Sequence, residues 1–176
     1  MIDKILLAGF GGQGVLFIGK ILAYAGMLDE RQVCWIPSYG PEMRGGTANC
    51  SVIISDDEIN STVLEYADAG IVLNQPAYDK FLPFIKSGGT LIVNGSIVDS
   101  TRRREDIELV SVPVGEAATA IGNHSLANMV CLGALINRLT TTNLLSIEKS
   151  IDEVVGKKKP QLRESNLSAV KLGLKY

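Results

Sequence analysis

The sequence predicts an α/β fold: a three-layer α/β/α, Rossmann-like domain on a mixed, mostly parallel sheet. Short apolar runs alternate with helix-like stretches through the first two thirds of the chain, as βαβ units require. The first apolar run, Ile5-Leu6-Leu7-Ala8, passes directly into Gly9-Phe10-Gly11-Gly12-Gln13-Gly14, and a long apolar stretch without proline follows. The last third carries helical patterns only. A single domain over residues 1–176 is expected.

In order, residues 5–8 read as a strand covered on both faces, and residues 15–27 as a helix. Residues 31–37, with Val33, Cys34, Trp35 and Ile36, give a second strand. The loop Ser38-Tyr39-Gly40-Pro41-Glu42-Met43-Arg44-Gly45-Gly46 follows, then a third strand over 47–55. There Ala48, Cys50, Val52 and Ile54 alternate with Asn49, Ser51, Ile53 and Ser55, the pattern of a half-buried strand. The short loop before it suits an antiparallel return. Residues 56–67 are polar and are read with a short helix ending near Tyr66. A strand over 69–73 closes at Asn74-Gln75-Pro76, a helix is expected over 77–86, and Ser87-Gly88-Gly89 reads as a turn. A strand over 90–93 closes at Asn94-Gly95-Ser96. The basic run Arg102-Arg103-Arg104 reads as a solvated loop. A last strand over 107–112 precedes helices over 115–121, 125–139, 146–155 and 161–172. Asn123 or Ser125 is the cap expected for the second of these, and Ser146 to Lys149 is an imperfect capping sequence for the third.

At 46% hydrophobic and 20% charged, the composition disfavours disorder. A net charge of -2 and few aromatic residues argue against nucleic acid as a partner. The N-terminal stretch carries Asp3 and Lys4 and does not resemble a signal peptide, and no apolar run is long enough to span a bilayer, so a cytoplasmic protein is expected. Cys34, Cys50 and Cys131 lack any C-x-x-C spacing, a poor ligand set for zinc or an iron–sulfur cluster, and no metal site is expected. His124 is the only histidine.

The glycine loop admits close backbone approach, and the helix after it starts with free N–H groups at its positive end, so an anion is the ligand this geometry suits. The alternative is that the glycines only let strand and helix pack closely. A dinucleotide fold needs a carboxylate at the end of the second strand, and Ile36-Pro37-Ser38 stands there, which disfavours NAD. Gly14 to Lys20 fits part of a P-loop, but Ile21 replaces the magnesium-binding hydroxyl. There is no G-x-S-x-G elbow. Loops after parallel strands gather at one rim of an α/β sheet. The candidate binding residues are therefore Gly9, Gly11, Gly12, Gln13 and Gly14, then Ser38, Tyr39, Gly40, Arg44, Gly45 and Gly46, then Asn74 and Asn94. Arg44 either meets a phosphate or carboxylate in a bidentate contact or pairs with Glu42. Asn74 and Asn94 are either ligand contacts or turn residues. No nucleophile, base and orienting group can be assembled, so no catalytic residue is named.

The G-F-G-G-Q-G-V stretch, Pro37-Ser38-Tyr39-Gly40-Pro41-Glu42-Met43-Arg44-Gly45-Gly46, Asn74-Gln75 and the helix with Asn128-Met129-Val130 and Leu132-Gly133-Ala134 together resemble the gamma subunit of 2-oxoacid:ferredoxin oxidoreductases. The resemblance runs nearly the whole chain, and the P-E-M-R-G-G wording is more similar to the 2-oxoglutarate or branched-chain type than to the pyruvate type. It implies a share in a multi-subunit oxidoreductase that decarboxylates a 2-oxoacid, 2-oxoglutarate favoured, forms an acyl-CoA and reduces ferredoxin. It also implies thiamine diphosphate and iron–sulfur clusters on partner subunits, with CoA in the assembled complex. The chain alone would not be catalytic. A competing class is an assembly module whose loops touch only protein, and a third is a stand-alone nucleotide-binding enzyme.

Overall fold

The computed structural model describes residues 1–39, 46–101, 103–156 and 159–176, without the side chains of Tyr39 and His124. The strands are β1 (Ile2–Phe10), β2 (Gln32–Tyr39), β3 (Thr47–Ser55), β4 (Ala67–Val72), β5 (Ile85–Asn94) and β6 (Glu108–Val112). The helices are α1 (Val15–Leu28), α2 (Gln75–Phe81), α3 (Val114–Ile121), α4 (Ala127–Ile136), α5 (Leu144–Val155) and α6 (Pro160–Gly173). The sheet order is β2-β3-β1-β4-β5-β6. β3 runs antiparallel to both β1 and β2, whereas β4, β5 and β6 continue in the direction of β1. Only β3 is reversed, so the sheet is mixed and mostly parallel, as expected. The C-terminal ends of β1, β2, β4 and β5 share one rim.

Alternation along β1 divides the core. Ile5 and Leu7 join Cys50, Val52 and Ile54 beneath α1 and the α3–α6 layer. Leu6 and Ala8 point the other way, to Val72, Leu91, Val93 and the fully buried Tyr78 of α2. Ile18, Ile21 and Leu22 of α1 are fully buried, each contributing about 1.5–3 kcal/mol by leaving water. The two layers are unequal. Of the six helices, α2 alone contributes to the second core cluster, on the β4–β5 half.

Several boundaries differ from the sequence reading. Residues 56–66 form no helix. Ile59, Thr62 and Val63 are β-branched, and the Ser61 hydroxyl accepts the Val63 N–H at 3.3 Å, a local bond that competes with helix. The helix expected over 77–86 stops at Phe81, because Pro83 has no N–H to donate to Asp79 O; one 3₁₀ turn, Leu82–Phe84, leads straight into β5. Ser87-Gly88-Gly89 is therefore not a turn ahead of the strand but a bulge inside β5, where the register against β4 jumps between Ala67 and Ala69. α4 ends at Ile136, short of Leu139. Asn123 caps the 3₁₀ turn His124–Leu126, accepting from Ser125 N–H, rather than α4 itself. The cap of α5 is Asn143, and Ser146 donates its N–H to it at 3.1 Å. Arg104 is not a solvated cation: it pairs with Asp106 and donates to the carbonyls of Leu82 and Ile85. Arg103 is exposed, and Arg102 lies outside the described residues.

Candidate functional site

The β1–β4 border is where the chain reverses its direction of travel across the sheet: α1 carries it from β1 toward β2, α2 from β4 to β5. Open α/β sheets bind ligands at such a point. Three connections meet there. Gly9 and Phe10 complete β1, and the residues up to Gly14 turn the chain into α1. Leu73 extends the β1–β4 ladder by donating its N–H to Ala8 O at 3.0 Å, and Asn74 then caps α2 by accepting the Ala77 N–H at 2.9 Å. Asn94 ends β5 and accepts the Ser96 N–H at 3.2 Å.

Gln13 binds these connections together. Its Oε1 accepts from Phe10 N–H at 2.7 Å and from Asn74 Nδ2 at 3.0 Å, and its Nε2 donates to Leu73 O at 3.2 Å. The loop is anchored to the start of β3 by Gly11 N–H, which donates to Gly46 O at 2.8 Å. Gly14 sits in left-handed backbone at φ 76 and caps α1 without a side chain. Its carbonyl accepts from Asn128 Nδ2 at 3.2 Å. Between these elements lies a cavity of about 270 Å³ lined by Gly12, Gln13, Leu73, Asn94, Ser125 and Ala127. None of those lining residues is ionisable.

The first turn of α1 carries no acidic residue, so nothing on it neutralises the helix's positive end. The arrangement can hold an anionic or strongly polar group by backbone N–H and amide donors. Among the described residues it offers no nucleophile–base pair, and no group of three or more His, Cys, Asp or Glu is placed to hold a metal. Burial pushes the Cys131 thiol up to about 12. Burial likewise raises that of Cys50 to about 12, with a smaller opposing effect from Trp35. Both stay protonated, and Cys50 donates to Val15 O.

Of the residues singled out in the sequence, Gly9, Gly11, Gly12, Gln13, Gly14, Gly46, Asn74 and Asn94 come together at this rim. Asn74 and Gln13 spend their amides on the rim itself. Ser38 lies elsewhere, on the sheet face away from α1 with Asn49 and Ser51. Tyr39 ends β2 opposite Ala48. Gly40, Arg44 and Gly45, and with them the choice between ligand and Glu42 for Arg44, lie outside the described residues. The sequence reading did not place Leu73, Ser125, Ala127 or Asn128 at the site. For Asn128 the signal was an amide at the head of an otherwise apolar helix, where it is buried at 4% exposure.

Residues 4–176 match the family model described as pyruvate ferredoxin/flavodoxin oxidoreductase. The chain belongs to this family. Among relatives of this oxidoreductase-family chain, the 2-oxoglutarate synthase subunit KorC of Methanocaldococcus jannaschii is 36% identical, the alignment covering 98% of this chain and 92% of KorC. The ketoisovalerate oxidoreductase subunit VorA of Methanothermobacter marburgensis is also 36% identical, over 76% of this chain but only 28% of VorA's own length. A solved structure of a keto/oxoacid ferredoxin oxidoreductase gamma subunit from Geobacter sulfurreducens superposes with a TM-score of 0.82 at 30% identity, covering 98% of this chain and 96% of that one. The family member's fold is thus that of a gamma subunit over 98% of the chain.

Proposed function

We propose that this chain serves as the gamma subunit of a multi-subunit 2-oxoacid:ferredoxin oxidoreductase, taking part in CoA-dependent oxidative decarboxylation of a 2-oxoacid, with 2-oxoglutarate favoured. The observation that carries the reading is near-complete, two-way coverage with a subunit named for 2-oxoglutarate synthase, together with a rim cavity whose lining, among the described residues, carries no titratable side chain. A chain with that cavity contributes binding and positioning, and the acid–base and redox steps fall to other subunits.

The donor set fits the phosphate-bearing end of CoA: the start of α1 has no side-chain cap and meets no carboxylate in its first turn. When bound, CoA supplies the thiol that takes up the acyl group. The residues of this chain would orient it, with Gly12 and Gly14 letting backbone approach, Asn94 at the cavity wall and Arg44 as an added cation. Iron–sulfur ligation does not fit the described residues, since Cys50 and Cys131 are buried protonated thiols. Thiamine diphosphate and the clusters are therefore assigned to partner subunits in a cytoplasmic complex.

The test is the complex assembled by co-expression with the thiamine-diphosphate and iron–sulfur subunits. CoA-dependent reduction of ferredoxin is compared for 2-oxoglutarate, ketoisovalerate and pyruvate, and Arg44→Ala is expected to raise KM for CoA at least tenfold. Unchanged turnover and unchanged CoA affinity would remove Arg44 from the site. A wild-type chain that is monomeric and active alone would overturn the subunit reading.

A further inference from the structure

The sheet face opposite the α1 and α3–α6 layer is covered unevenly. Over β4 and β5 it carries α2; over β1, β3 and β2 it presents the cross-strand rows Leu6–Ser51–Ile36 and Ala8–Asn49–Ser38. The segment 56–66 runs beside these rows with no regular structure and turns apolar side chains outward, Val63 at 68% exposure and Tyr66 at 59%. Ile36 is 41% and Phe84 44% exposed, and Phe84 pairs with Phe81 at a ring distance of 6.0 Å.

Three depressions of 330, 420 and 490 Å³ lie in series along this face, the first two sharing Phe84 and the last two Tyr66 and Pro83. They form one elongated groove from the edge strand β2 to the Arg103–Arg104 loop. Among the described residues its β2 end is lined by apolar and uncharged polar side chains, the composition of an interface core. Charges begin toward the far end, where Glu65, Lys86 and Arg103 form the rim. Lys86 is paired with Asp68 at 3.2 Å and Arg104 with Asp106, whereas Arg103 has no partner among the described residues. An elongated groove without convergent polar groups fits a polypeptide better than a compact ligand.

We infer that this groove docks a separate polypeptide, one that lays an apolar ridge over Ile36, Val63 and Phe84 and sets a carboxylate against Arg103. Arg103 at one end of the groove, unpaired among the described residues, calls for a carboxylate on the occupant. One observation favours a different chain over a second copy. In VorA the matched region is 28% of a longer chain, so there the same region has further polypeptide attached to it. The inference rests on the subunit reading above and names the surface through which that subunit is held.

The test uses the co-expressed complex. Ile36→Asp, Val63→Asp and Phe84→Asp are compared with Met27→Asp, which adds a charge at the exposed C-terminal end of α1, where Met27 is 60% exposed. Assembly is read by size-exclusion and by the salt-dependent dissociation rate, and folding of each variant by circular dichroism. The expected result is assembly weakened at least tenfold by the groove variants and unchanged in Met27→Asp, with Arg103→Glu weakening assembly most at low salt. Where a variant fails to fold, hydrogen exchange on the wild-type complex decides: slowed exchange at residues 59–66 supports the proposal. Normal assembly of all groove variants, or unchanged exchange at 59–66, overturns the docking face while leaving the subunit reading standing. A wild-type chain that is monomeric and active with no co-expressed subunit overturns both, and groove-dependent dimerisation of the isolated chain overturns the choice of occupant.

Discussion

Alanine at Gly9, Gly12 and Gly14 should give three different costs, because the loop needs glycine at each position for a different reason. At Gly12, φ is +96 and nothing lies within 4 Å of an added Cβ. Only the left-handed backbone is charged there, roughly 1–2 kcal/mol, partly offset by the reduced freedom of the unfolded chain. At Gly9 no positive φ is involved, but the Cβ would meet Gln13 Oε1 at 2.7 Å and Val15 Cγ2 at 2.9 Å. Overpacking of that kind costs roughly 1–3 kcal/mol. Gly14 combines both: φ is +76, and the Cβ would stand 2.2 Å from Asn128 Nδ2. Asn128 must then give up its bond to Gly14 O, and a buried amide left unsatisfied costs about 1–3 kcal/mol on top of the backbone term. Gly14→Ala should therefore lose about 2–4 kcal/mol, lowering Tm by on the order of 10 °C, and Gly12→Ala by only a few degrees. Urea unfolding of the single variants, of Asn128→Ala and of the Gly14→Ala/Asn128→Ala pair measures the coupling. Equal costs at Gly12 and Gly14, or a cycle with no coupling between Gly14 and Asn128, would refute the account of this loop.

Gln13→Glu removes the only donor Gln13 offers to Leu73 O and should cost about 1–3 kcal/mol at pH 7, with part recovered at acid pH as the new carboxyl regains a proton; urea titrations at both pH values check it. With the Cys50 and Cys131 thiols raised to about 12 and Cys34 half-buried, a thiol reagent at pH 8 should label Cys34 first in the native chain and all three only after denaturation. The Arg138 guanidinium, helped by the Thr90 hydroxyl, holds the Glu108 carboxyl below the ordinary glutamate value. A depressed carboxyl stabilises the fold above its unfolded pKa and loses that contribution as pH falls through its folded one. The stability gap between wild type and Arg138→Gln should accordingly close on acidification, and a gap that widens below pH 4 would show the sign to be wrong.

Much of the architecture was legible because periodicity and covalent punctuation dictate it. The alternation from Ala48 to Ser51 marked one covered and one more open face, although Ile53 and Ser55 are buried too, where a half-buried strand would expose them, and the short return before it specified the antiparallel pair in an otherwise parallel sheet. The errors fell where a single residue overrides a pattern. Pro83 ended α2 early, and the bulge at Ser87-Gly88-Gly89 looked like a turn because glycine pairs serve both. At the site, the glycines were visible as a motif, but the role of Gln13 was not. Its three partners, Phe10, Leu73 and Asn74, include two that are about 60 residues away in sequence. The same holds for Asp3, read only as a charge near the N-terminus. It is buried at 4% exposure and accepts from the N–H and hydroxyl groups of Thr140 and Thr141. Long-range hydrogen bonds leave no local trace.

Gln13 also limits how the rim can bind anything. Its Oε1 accepts two N–H groups while its Nε2 donates one of its two hydrogens, and Asn74 has one side-chain atom on Gln13 and the other on Ala77. A ligand therefore finds the Gln13 oxygen filled and only the second N–H of each amide nitrogen left, unless the β1 and β4 connections come apart, which would expose Leu73 O and the first turn of α2 together. Contacts available without that rearrangement are the backbone around Gly12 and the start of α1, the second N–H of Gln13, and Asn94 and Ser125 on the cavity wall. Substitutions at Gln13 or Asn74, which break the bonds that hold the rim, should thus act on binding mainly through loop geometry and should track stability loss. Substitutions at Asn94 or Ser125 should change binding at constant stability. A plot of CoA affinity against unfolding free energy for these four positions separates the two pairs, and affinity lost at Gln13 or Asn74 beyond what the stability loss accounts for would mean that their amides do reach the ligand.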